Sequence, residues 1–386
     1  MSDQTQAASG PKITAPPVDP PAFGTLDLLP DIILPNEAAK LVQLSIDMTG
    51  KCLLLLFCPD LTASGCRAGL SEFASHFETL APLAHIYAVT SSPPQANLRA
   101  LESAPLPFPV LSDLQQHVAR GLAIGHNLEP AESPGAFTVL LADENRRVLR
   151  IDHNVTAEGS ARAILAQLLS RQQSAPRMLG GFAPVLYIPQ VLEPSFCAEL
   201  IASFETGETE EGRAYQHGGA QSEGDYVVDP TFKVRRDHYI TDRELGGRLR
   251  WCVVRRVKPE ILKAFTREIS GIEEFKVVCY DASTGGHFSP HRDNISPKNA
   301  HRLFAMTLNL NSDFEGGGLR FPEYGGDLYR PSAGDAVVFS CSLMHQAVPV
   351  TKGRRFVLLA FLFDEESRRQ GEARRRAAQS QQAGQP

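Results

Sequence analysis

The two halves of this chain carry different hydrophobic patterns, and no single fold class accommodates both. In the first half, segments of helical pattern alternate with the apolar runs CLLLLF (52–57), HIYAVT (85–90) and FTVLLA (137–142). This alternation predicts a mostly parallel sheet with helices on both faces. The second half carries short apolar runs separated by glycine-rich turns, which predicts an antiparallel sandwich or barrel. We therefore predict a multidomain chain, with an α/β domain followed by an all-β domain.

The boundary between the halves lies in RQQSAPRMLGGFAP, residues 171–184, where glutamine, serine, proline and glycine interrupt both patterns. We assign residues 23–172 to the first domain, 173–184 to a linker and 185–364 to the second domain. Residues 1–22 and 365–386 contain few apolar side chains to offset the entropy lost on ordering. Both ends are therefore predicted to be disordered tails.

Composition excludes several classes of function. The formal net charge of −6 over 386 residues provides no electrostatic footprint for nucleic acid. No apolar run is long enough to span a bilayer, so no membrane partner is expected. The seven cysteines are odd in number and include no C-x-x-C pair. A disulfide framework is not expected, and a reducing cytoplasm is the predicted location.

Side chains that ligate metals are concentrated in the second half. His291 and Asp293 occur in GGHFSPHRDN, and His345 occurs further on in SLMHQAVPV. Residues i and i+2 of a strand share a face, so His291 and Asp293 are expected to point together into the barrel, where the sheet folds back to deliver His345. Two imidazoles and one carboxylate fill one face of an octahedral Fe(II) and leave the other face open. The sequence thus predicts an iron site.

Arg355 lies at the start of the strand RRFVLLAFLF and shares its side with apolar residues. A guanidinium directed into an apolar barrel is costly unless it meets an anion, and its planar fork matches a carboxylate. The charges of Fe(II), Asp293 and Arg355 together balance a dianion such as 2-oxoglutarate, whose distal carboxylate is the predicted partner of Arg355. Arg354 remains an alternative, because the strand is apolar on both faces and parity alone does not choose between the two arginines.

A resemblance to the Fe(II)/2-oxoglutarate-dependent dioxygenases, in particular their prolyl 4-hydroxylase-like branch, is carried by YDASTGGHFSPHRDN, LNLNSDFEGGGLRFPEYGG and HQAVPVTKGRRFVLLAFLF. It covers residues 185–364 and implies a double-stranded β-helix (jelly roll) with supporting helices. The implied reaction is hydroxylation of a C–H bond in a peptide, prolyl residues included, or in a small molecule, with release of succinate and carbon dioxide. The implied cofactors are Fe(II), 2-oxoglutarate as co-substrate and, optionally, L-ascorbate.

The same resemblance implies roles for individual residues. It makes His291, Asp293 and His345 the iron ligands, and it makes Arg355, ten residues after the second of these histidines, the group that binds the oxoglutarate carboxylate. Tyr280 matches a tyrosine that often lines the co-substrate pocket, with a core tyrosine on a strand as the alternative. No catalytic residue is predicted beyond the metal site and the cysteine considered next.

The first domain resembles the thioredoxin fold, and FCPDLTASGCRAGLSEF resembles the peroxidatic segment of peroxiredoxins. Cys66 falls at the position of the reactive cysteine and Pro59 at that of the upstream proline. The threonine position holds Ala63, and Phe137 stands where the activating arginine is expected, so the domain resembles a degenerate peroxiredoxin. The alternatives for Cys66 are an inert cysteine at a helix start or a redox group, and the latter makes a thiol peroxidase or redox sensor the alternative function of the chain.

The sequence leaves the substrate, the oligomeric state, the redox activity of Cys66 and the contribution of the first domain open. Polar, glycine-rich composition at 206–238 and 294–300 predicts mobile loops that select the substrate. Within the first of these loops, Arg235, Arg236 and Asp237 are predicted to lie in a solvated turn, with contact to the substrate as the alternative.

Overall fold

The computed structural model describes residues 22–47, 50–124, 137–153, 155, 159–171, 180–216, 225–296 and 298–383. These residues form two compact units, divided between residues 177 and 178. Each unit has its own buried hydrophobic clusters. The predicted N-terminal tail and most of the predicted linker lie outside the described residues.

The N-terminal unit alternates strands and helices around one sheet. Its elements are β1 Ile33–Pro35, β2 Leu41–Gln43, α1 Leu44–Asp47, β3 Cys52–Cys58, α2 Ser64–Ser75, α3 Phe77–Leu80, β4 Ala84–Thr90, α4 Pro94–Ser103, β5 Val110–Ser112, α5 His117–Gly121, β6 Thr138–Ala142, β7 Val148–Asp152 and α6 Ser160–Ser170. The sheet order is β5-β4-β3-β6-β7. Strand β3 is apolar throughout because it is buried on both faces. This arrangement confirms the predicted thioredoxin-like α/β domain.

The sheet of this unit is mixed and not mostly parallel as predicted. β3, β4 and β5 pair in parallel, whereas β6 pairs antiparallel with both β3 and β7. A turn of a few residues separates β6 from β7, and so short a connection can only join antiparallel strands. The sequence pattern showed that these strands are buried but carried no information on their direction.

The C-terminal unit consists of antiparallel strands with helices packed on one side. Its elements are β8 Leu186–Ile188, α7 Pro194–Thr206, β9 Glu210–Glu211, β10 Ala214–Gln216, β11 Asp225–Val227, β12 Lys233–Val234, β13 Arg236–Tyr239, α8 Arg243–Cys252, a π-helical turn Val253–Val257, α9 Lys258–Phe265, β14 Gly271–Ile272, β15 Lys276–Asp281, β16 His287–His291, β17 Phe304–Asn309, β18 Glu315–Gly316, β19 Leu319–Arg320, β20 Leu328–Tyr329, β21 Ala336–Ser340, β22 His345–Ala347, β23 Val350–Lys352, β24 Arg354–Phe363 and α10 Glu365–Ala383. Short 3-10 turns occur at Ala282–Thr284 and Pro322–Tyr324.

Two sheets make up most of this unit. The larger has the order β8-β21-β17-β24-β15-β13-β9, with β14 also paired to β24, and the smaller has the order β12-β16-β22-β19-β20. Every pairing in both sheets is antiparallel. The arrangement confirms the predicted double-stranded β-helix with supporting helices.

Strand β24 has one face toward the helices and the other toward the interior of the barrel. Phe356, Leu358, Ala360 and Leu362 belong to the hydrophobic cluster that also contains apolar residues of α7, α8 and α9. The intervening residues, from Arg355 to Phe361, line a cavity within the unit. Because successive side chains of a strand point to opposite faces, one face of β24 packs on the helices and the other faces the cavity.

The segment after Asp364 is helical and not the disordered tail that composition predicted. Oδ1 of Asp364 accepts a hydrogen bond from the backbone N–H of Ser367 at 2.6 Å and caps the first turn of α10. Arg368 forms ion pairs with glutamates one turn before and one turn after it. Gly371 is buried and lies so close to His301 that a Cβ there would clash. A cap, local ion pairs and one close contact thus order a segment that has few apolar residues.

Candidate metal centre

His291, Asp293 and His345 come together on the smaller sheet. His291 ends β16 and faces His345, the first residue of β22, across the antiparallel pair. The Asp293 carboxylate lies 3.5 Å from Nε2 of His291 and 3.2 Å from Nε2 of His345. The possible ligand atoms of the three residues all lie within 4.8 Å of one another, so a single ion can contact all three.

Asp293 does not share a strand with His291, as the argument from strand alternation assumed. β16 ends at His291, and Asp293 belongs to the turn that follows. Its backbone N–H donates to the carbonyl oxygen of Cys341 at 3.0 Å, which ties this turn to the segment that leads into His345. The expected convergence is present, but a turn anchored by a long-range hydrogen bond produces it.

Backbone carbonyl groups set the orientation of both imidazole rings. Nδ1 of His291 lies 2.8 Å from the carbonyl oxygen of Ser289, and Nδ1 of His345 lies 3.0 Å from that of Leu343. A carbonyl oxygen only accepts, so Nδ1 carries the proton in each ring. Nε2 of each ring is therefore the atom presented to a metal, in the way that outer hydrogen bonds usually orient histidine ligands.

The charge of Asp293 follows from its surroundings. Burial alone would raise the pKa of its carboxyl group, but the positive charge of His345 in its protonated form and the proximity of both imidazoles hold that pKa well below its usual range. Burial lowers the pKa of His291 and so favours its neutral form. An ionised carboxylate beside two imidazole nitrogens is the ligand set of mononuclear Fe(II) oxygenases, and the residues present therefore fit that metal.

Arg355 is buried and has no carboxylate partner among the described residues. Its Nε and Nη2 donate to Oδ1 of Asn309 at 3.1 and 3.0 Å, and 3% of the residue is exposed. Burial lowers the pKa of its guanidinium to about 10. Arg354 lies on the opposite face of β24, where it is exposed and pairs with Glu205. Of the two arginines that sequence parity left open, only Arg355 faces the cavity.

Tyr280 lies directly opposite Arg355 in the pairing of β15 with β24. It is buried, and its hydroxyl oxygen accepts a hydrogen bond from Nη1 of Arg235 at 3.1 Å. Because a guanidinium can only donate, the phenolic proton of Tyr280 stays available for a ligand. Tyr280 therefore contacts the cavity and is not an ordinary core tyrosine.

These groups line a cavity of about 400 Å³. The three candidate metal ligands contribute to its wall, as do Tyr280 and Arg355. The apolar side chains of Phe288, Val357 and Leu359 line it as well. Concave, partly apolar sites with a few convergent polar groups are typical of small-molecule binding. A metal, a short dicarboxylate and one substrate group are of a size that such a cavity accommodates.

Sequence reasoning missed a buried charge cluster beside this cavity. Arg235 and Asp237 were predicted in a solvated turn, yet 8% and 3% of these residues are exposed. Nε of Arg235 lies 2.7 Å from Oδ1 of Asp237, and Nζ of Lys276 lies 3.2 Å from Oδ2 of the same carboxylate. The sequence contained a signal that could have revealed this cluster, namely charged residues at positions 233, 235 and 237. Such spacing places the side chains on one face of an extended segment.

Replacing Asp237 by asparagine is expected to destabilise this unit by about 3–5 kcal/mol, because two buried cations lose their anion. Chemical denaturation followed by the fluorescence of Trp251, the single tryptophan and a residue of α8, measures the effect. The control is Glu315→Gln, which breaks an exposed ion pair with Lys352 and should cost about 0–1 kcal/mol. Equal effects of the two changes would contradict the prediction.

The contribution of Asp237 also has a defined pH dependence. Burial opposes ionisation, but Arg235 and Lys276 hold the pKa of this carboxyl group far below its ordinary value. A depressed pKa stabilises the folded state above the unfolded value, near 3.8, and the stabilisation is lost as pH falls toward the folded pKa. The stability difference between wild type and Asp237→Asn should therefore be constant from about pH 5 to 8 and shrink below about pH 4.

Cys66, the third residue of α2, is buried in the hydrophobic cluster of the N-terminal unit and is 0% exposed. A hydrogen bond from the thiol of Cys58 lowers its pKa, while burial acts in the opposite direction. Phe137, at the position where the resemblance places an arginine, packs against Phe73 and Gly69. The thiol thus has an acidifying neighbour, but its sulfur is not exposed to attack a peroxide.

Substitution of Cys66 by serine is therefore expected to leave peroxide consumption unchanged within about twofold. The assay follows loss of hydrogen peroxide with dithiothreitol as reductant, in metal-free protein so that iron does not contribute. Cys58→Ser serves as the matched control, because it removes the only thiol found to hydrogen-bond with Cys66 among the described residues. Peroxide consumption that disappears in Cys66→Ser alone would establish the peroxidase alternative.

A jelly roll whose cavity brings together two histidines, a carboxylate and a buried arginine defines the class of 2-oxoglutarate-dependent dioxygenases. Comparison with known families agrees: residues 275–363 match the family model of the 2OG-Fe(II) oxygenase superfamily, and residues 26–148 match that of the AhpC/TSA family. The predicted combination of an Fe(II)/2-oxoglutarate oxygenase domain with a peroxiredoxin-like domain is confirmed, and with it Fe(II) and 2-oxoglutarate as the cofactors of the class.

Individual relatives share limited parts of the chain. A PKHD-type hydroxylase of Synechococcus sp. (strain JA-2-3B'a(2-13)) is 26% identical over 98 residues, which are 24% of this chain and 43% of the relative. The human multifunctional procollagen lysine hydroxylase and glycosyltransferase LH3 is 25% identical over 190 residues, 46% of this chain and 23% of that protein. The chain thus spans less than half the length of these relatives. Peroxidoxin BcpB of Mycobacterium tuberculosis has 21% identity and a TM-score of 0.35 over 39% of this chain and 99% of its own.

No helix in the described ranges is both long and apolar enough to cross a membrane. The cytoplasmic location and the use of L-ascorbate stay predictions.

Proposed function

We propose that this protein uses Fe(II) and 2-oxoglutarate to hydroxylate a C–H bond of a peptide or small molecule, releasing succinate and carbon dioxide. One observation supports this most strongly: Arg355 is buried without a carboxylate partner among the described residues and shares a cavity with the cluster of His291, Asp293 and His345. A buried guanidinium is stable only when an anion neutralises it, and a dicarboxylate that also reaches a metal at the cluster meets that need.

Each residue has a defined part in this proposal. His291, Asp293 and His345 would hold the metal through Nε2, a carboxylate oxygen and Nε2, and Arg355 would fix the distal carboxylate of 2-oxoglutarate, with Tyr280 donating its phenolic proton beside it. When bound, Fe(II) supplies the activation of dioxygen that oxidises both the co-substrate and a C–H bond. The apolar residues of β24 exclude water from the cavity and so strengthen these electrostatic contacts.

The name of one relative supports a peptide substrate, and the sequence resemblance makes prolyl side chains one candidate within it. The human relative is named a procollagen lysine hydroxylase, and the cyanobacterial relative is named a hydroxylase. The matched segments cover 43% and 23% of these two relatives, so the choice between a peptide and a small molecule belongs to experiment.

Anaerobic addition of Fe(II) and 2-oxoglutarate tests the proposal. The wild-type protein should develop the weak visible charge-transfer band of an oxoglutarate chelate, and His345→Ala should not, because it lacks one of the three ligand atoms. Admission of oxygen should then convert 2-oxoglutarate to succinate in the wild type. Absence of the band in the wild-type protein would remove the oxygenase proposal.

A further inference from the structure

Lys233 is a further buried basic residue in the wall of the same cavity. It lies on β12, which pairs with β16 so that Lys233 is opposite Phe288, three residues before His291. Only 6% of Lys233 is exposed, and its Nζ lies 4.7 Å from the centroid of the Phe288 ring. The ammonium group thus belongs to the strand next to the proposed metal site.

No carboxylate pairs with Lys233 in the described part of the chain. Among the described residues, its Nζ donates a hydrogen bond to the backbone carbonyl oxygen of Arg213 at 2.6 Å. The nearest acidic cluster is already occupied, because Asp237 pairs with Arg235 and Lys276. A lysine ammonium has three donors, so two of them remain for another partner.

This arrangement is costly without a ligand. An ammonium ion moved from water into a buried site costs several kcal/mol unless an anion and hydrogen bonds compensate. Burial, together with the positive charge of Arg235, lowers the pKa of Lys233 to about 6, although Asp237 and Asp293 act in the opposite direction. The amine therefore takes up its full charge only when a carboxylate binds beside it. A hydrophobic residue could fill the same place in the wall without this cost in desolvation. The presence of an amine is therefore explained best by a site that binds an anion.

We propose that Lys233 binds a carboxylate on the substrate and thereby restricts this enzyme to substrates that carry an acidic group near the carbon to be hydroxylated. The inference rests on the proposed oxygenase function and extends it to the class of substrate. Arg355, on β24 of the other sheet, is the partner of the co-substrate, which leaves Lys233 for the substrate. Arg213 and Lys298 are exposed in the cavity wall and add positive potential that attracts an anion.

Binding of a carboxylic acid and of its neutral amide to the same protein tests this proposal. The probes are trifluoropropionate and trifluoropropionamide, observed by fluorine NMR. Zn(II) and N-oxalylglycine, an inert analogue of 2-oxoglutarate, occupy the metal and co-substrate sites so that the probe cannot bind to Arg355. Each variant is first shown to form the Fe(II)–oxoglutarate charge-transfer band, so failure of the oxygenase proposal is recognised separately.

The wild-type protein should bind the acid at least tenfold more tightly than the amide. Lys233→Met should lose this preference, Lys233→Arg should retain most of it, and Lys352→Met, which removes an exposed charge outside the cavity, should change it less than about twofold. If Lys233 only supported the fold, Lys233→Met would weaken both probes alike. Equal weakening of both probes by Lys233→Met would overturn the proposal. So would equal binding of the two probes to wild type, no binding of either probe, or an unchanged preference in Lys233→Met.

A competition experiment identifies whether the carboxylate belongs to a peptide or to a small molecule. Competition by a short peptide that contains glutamate is compared with competition by the same peptide containing glutamine and by free glutarate. Stronger displacement by the glutamate peptide indicates an acidic peptide substrate, and stronger displacement by glutarate indicates an acidic small molecule. Displacement that does not depend on the acidic group contradicts the role of Lys233.

Discussion

Replacement of Asp293 by asparagine is expected to weaken Fe(II) binding at least about 100-fold, equivalent to about 3 kcal/mol, and to abolish succinate formation. Asparagine keeps the shape of the side chain but removes the one negative charge that the cluster offers to a divalent cation. The carboxylate is ionised in the folded protein, since both imidazoles hold its pKa well below the usual range. The variant therefore removes a full charge at neutral pH.

Competition with a chelator under anaerobic conditions measures this affinity. Asp327→Asn, which neutralises an exposed carboxylate of the same unit, is the matched control and should bind Fe(II) as the wild type does. His345→Ala should resemble Asp293→Asn, because the three ligand atoms act on one ion. Wild-type affinity in Asp293→Asn would show that the metal binds elsewhere.

Replacement of Arg355 by methionine is expected to raise the 2-oxoglutarate concentration needed for half-saturation about 100-fold, while Fe(II) binding stays unchanged. Loss of one partner from a buried, hydrogen-bonded charge pair costs about 2–5 kcal/mol, and each 1.4 kcal/mol is about tenfold in affinity. Methionine fills similar volume, so the apolar packing around β24 is preserved. Arg355→Lys keeps the charge but loses the planar fork, and should give an intermediate effect of about tenfold.

The charge-transfer band, titrated with 2-oxoglutarate, provides the measurement for these variants. Arg354→Met is a close control. It removes the same residue type at the neighbouring position, from the face of β24 that lies outside the cavity. It should shift half-saturation less than about twofold. A large effect of Arg354→Met with none from Arg355→Met would contradict the prediction, because it would place the carboxylate site on the face of β24 outside the cavity.

The N-terminal unit shows where a sequence pattern stops being informative. The apolar run of β3 predicted a strand buried on both faces, and the sheet has it in its centre. The same sequence could not show that β6 and β7 run antiparallel to β3, because burial leaves strand direction undetermined. Nor could the segment around Cys66 reveal that its sulfur is buried, since accessibility depends on Phe137 and other residues distant in sequence.

The predictions for the C-terminal tail and for the charged segment at 233–237 were wrong for a related reason. Composition treats polar residues as solvated, yet Arg235 and Asp237 are buried because each neutralises the other and Lys276 adds a second cation. α10 has a cap, ion pairs between its own side chains and one close contact with His301 in place of an apolar face. Both features rest on particular pairings that no average over residue types contains.

The sequence by itself determined the two fold classes, the types of side chain available to a metal and the presence of an arginine in an apolar strand. These properties depend on local periodicity and on the chemistry of single residues. Tertiary structure alone decided that Arg355 and not Arg354 faces the cavity, that a turn held by Cys341 brings Asp293 to the histidines, and that Lys233 is buried without a carboxylate among the described residues. Those outcomes depend on strand register and long-range contacts, which arise only when distant segments pack together.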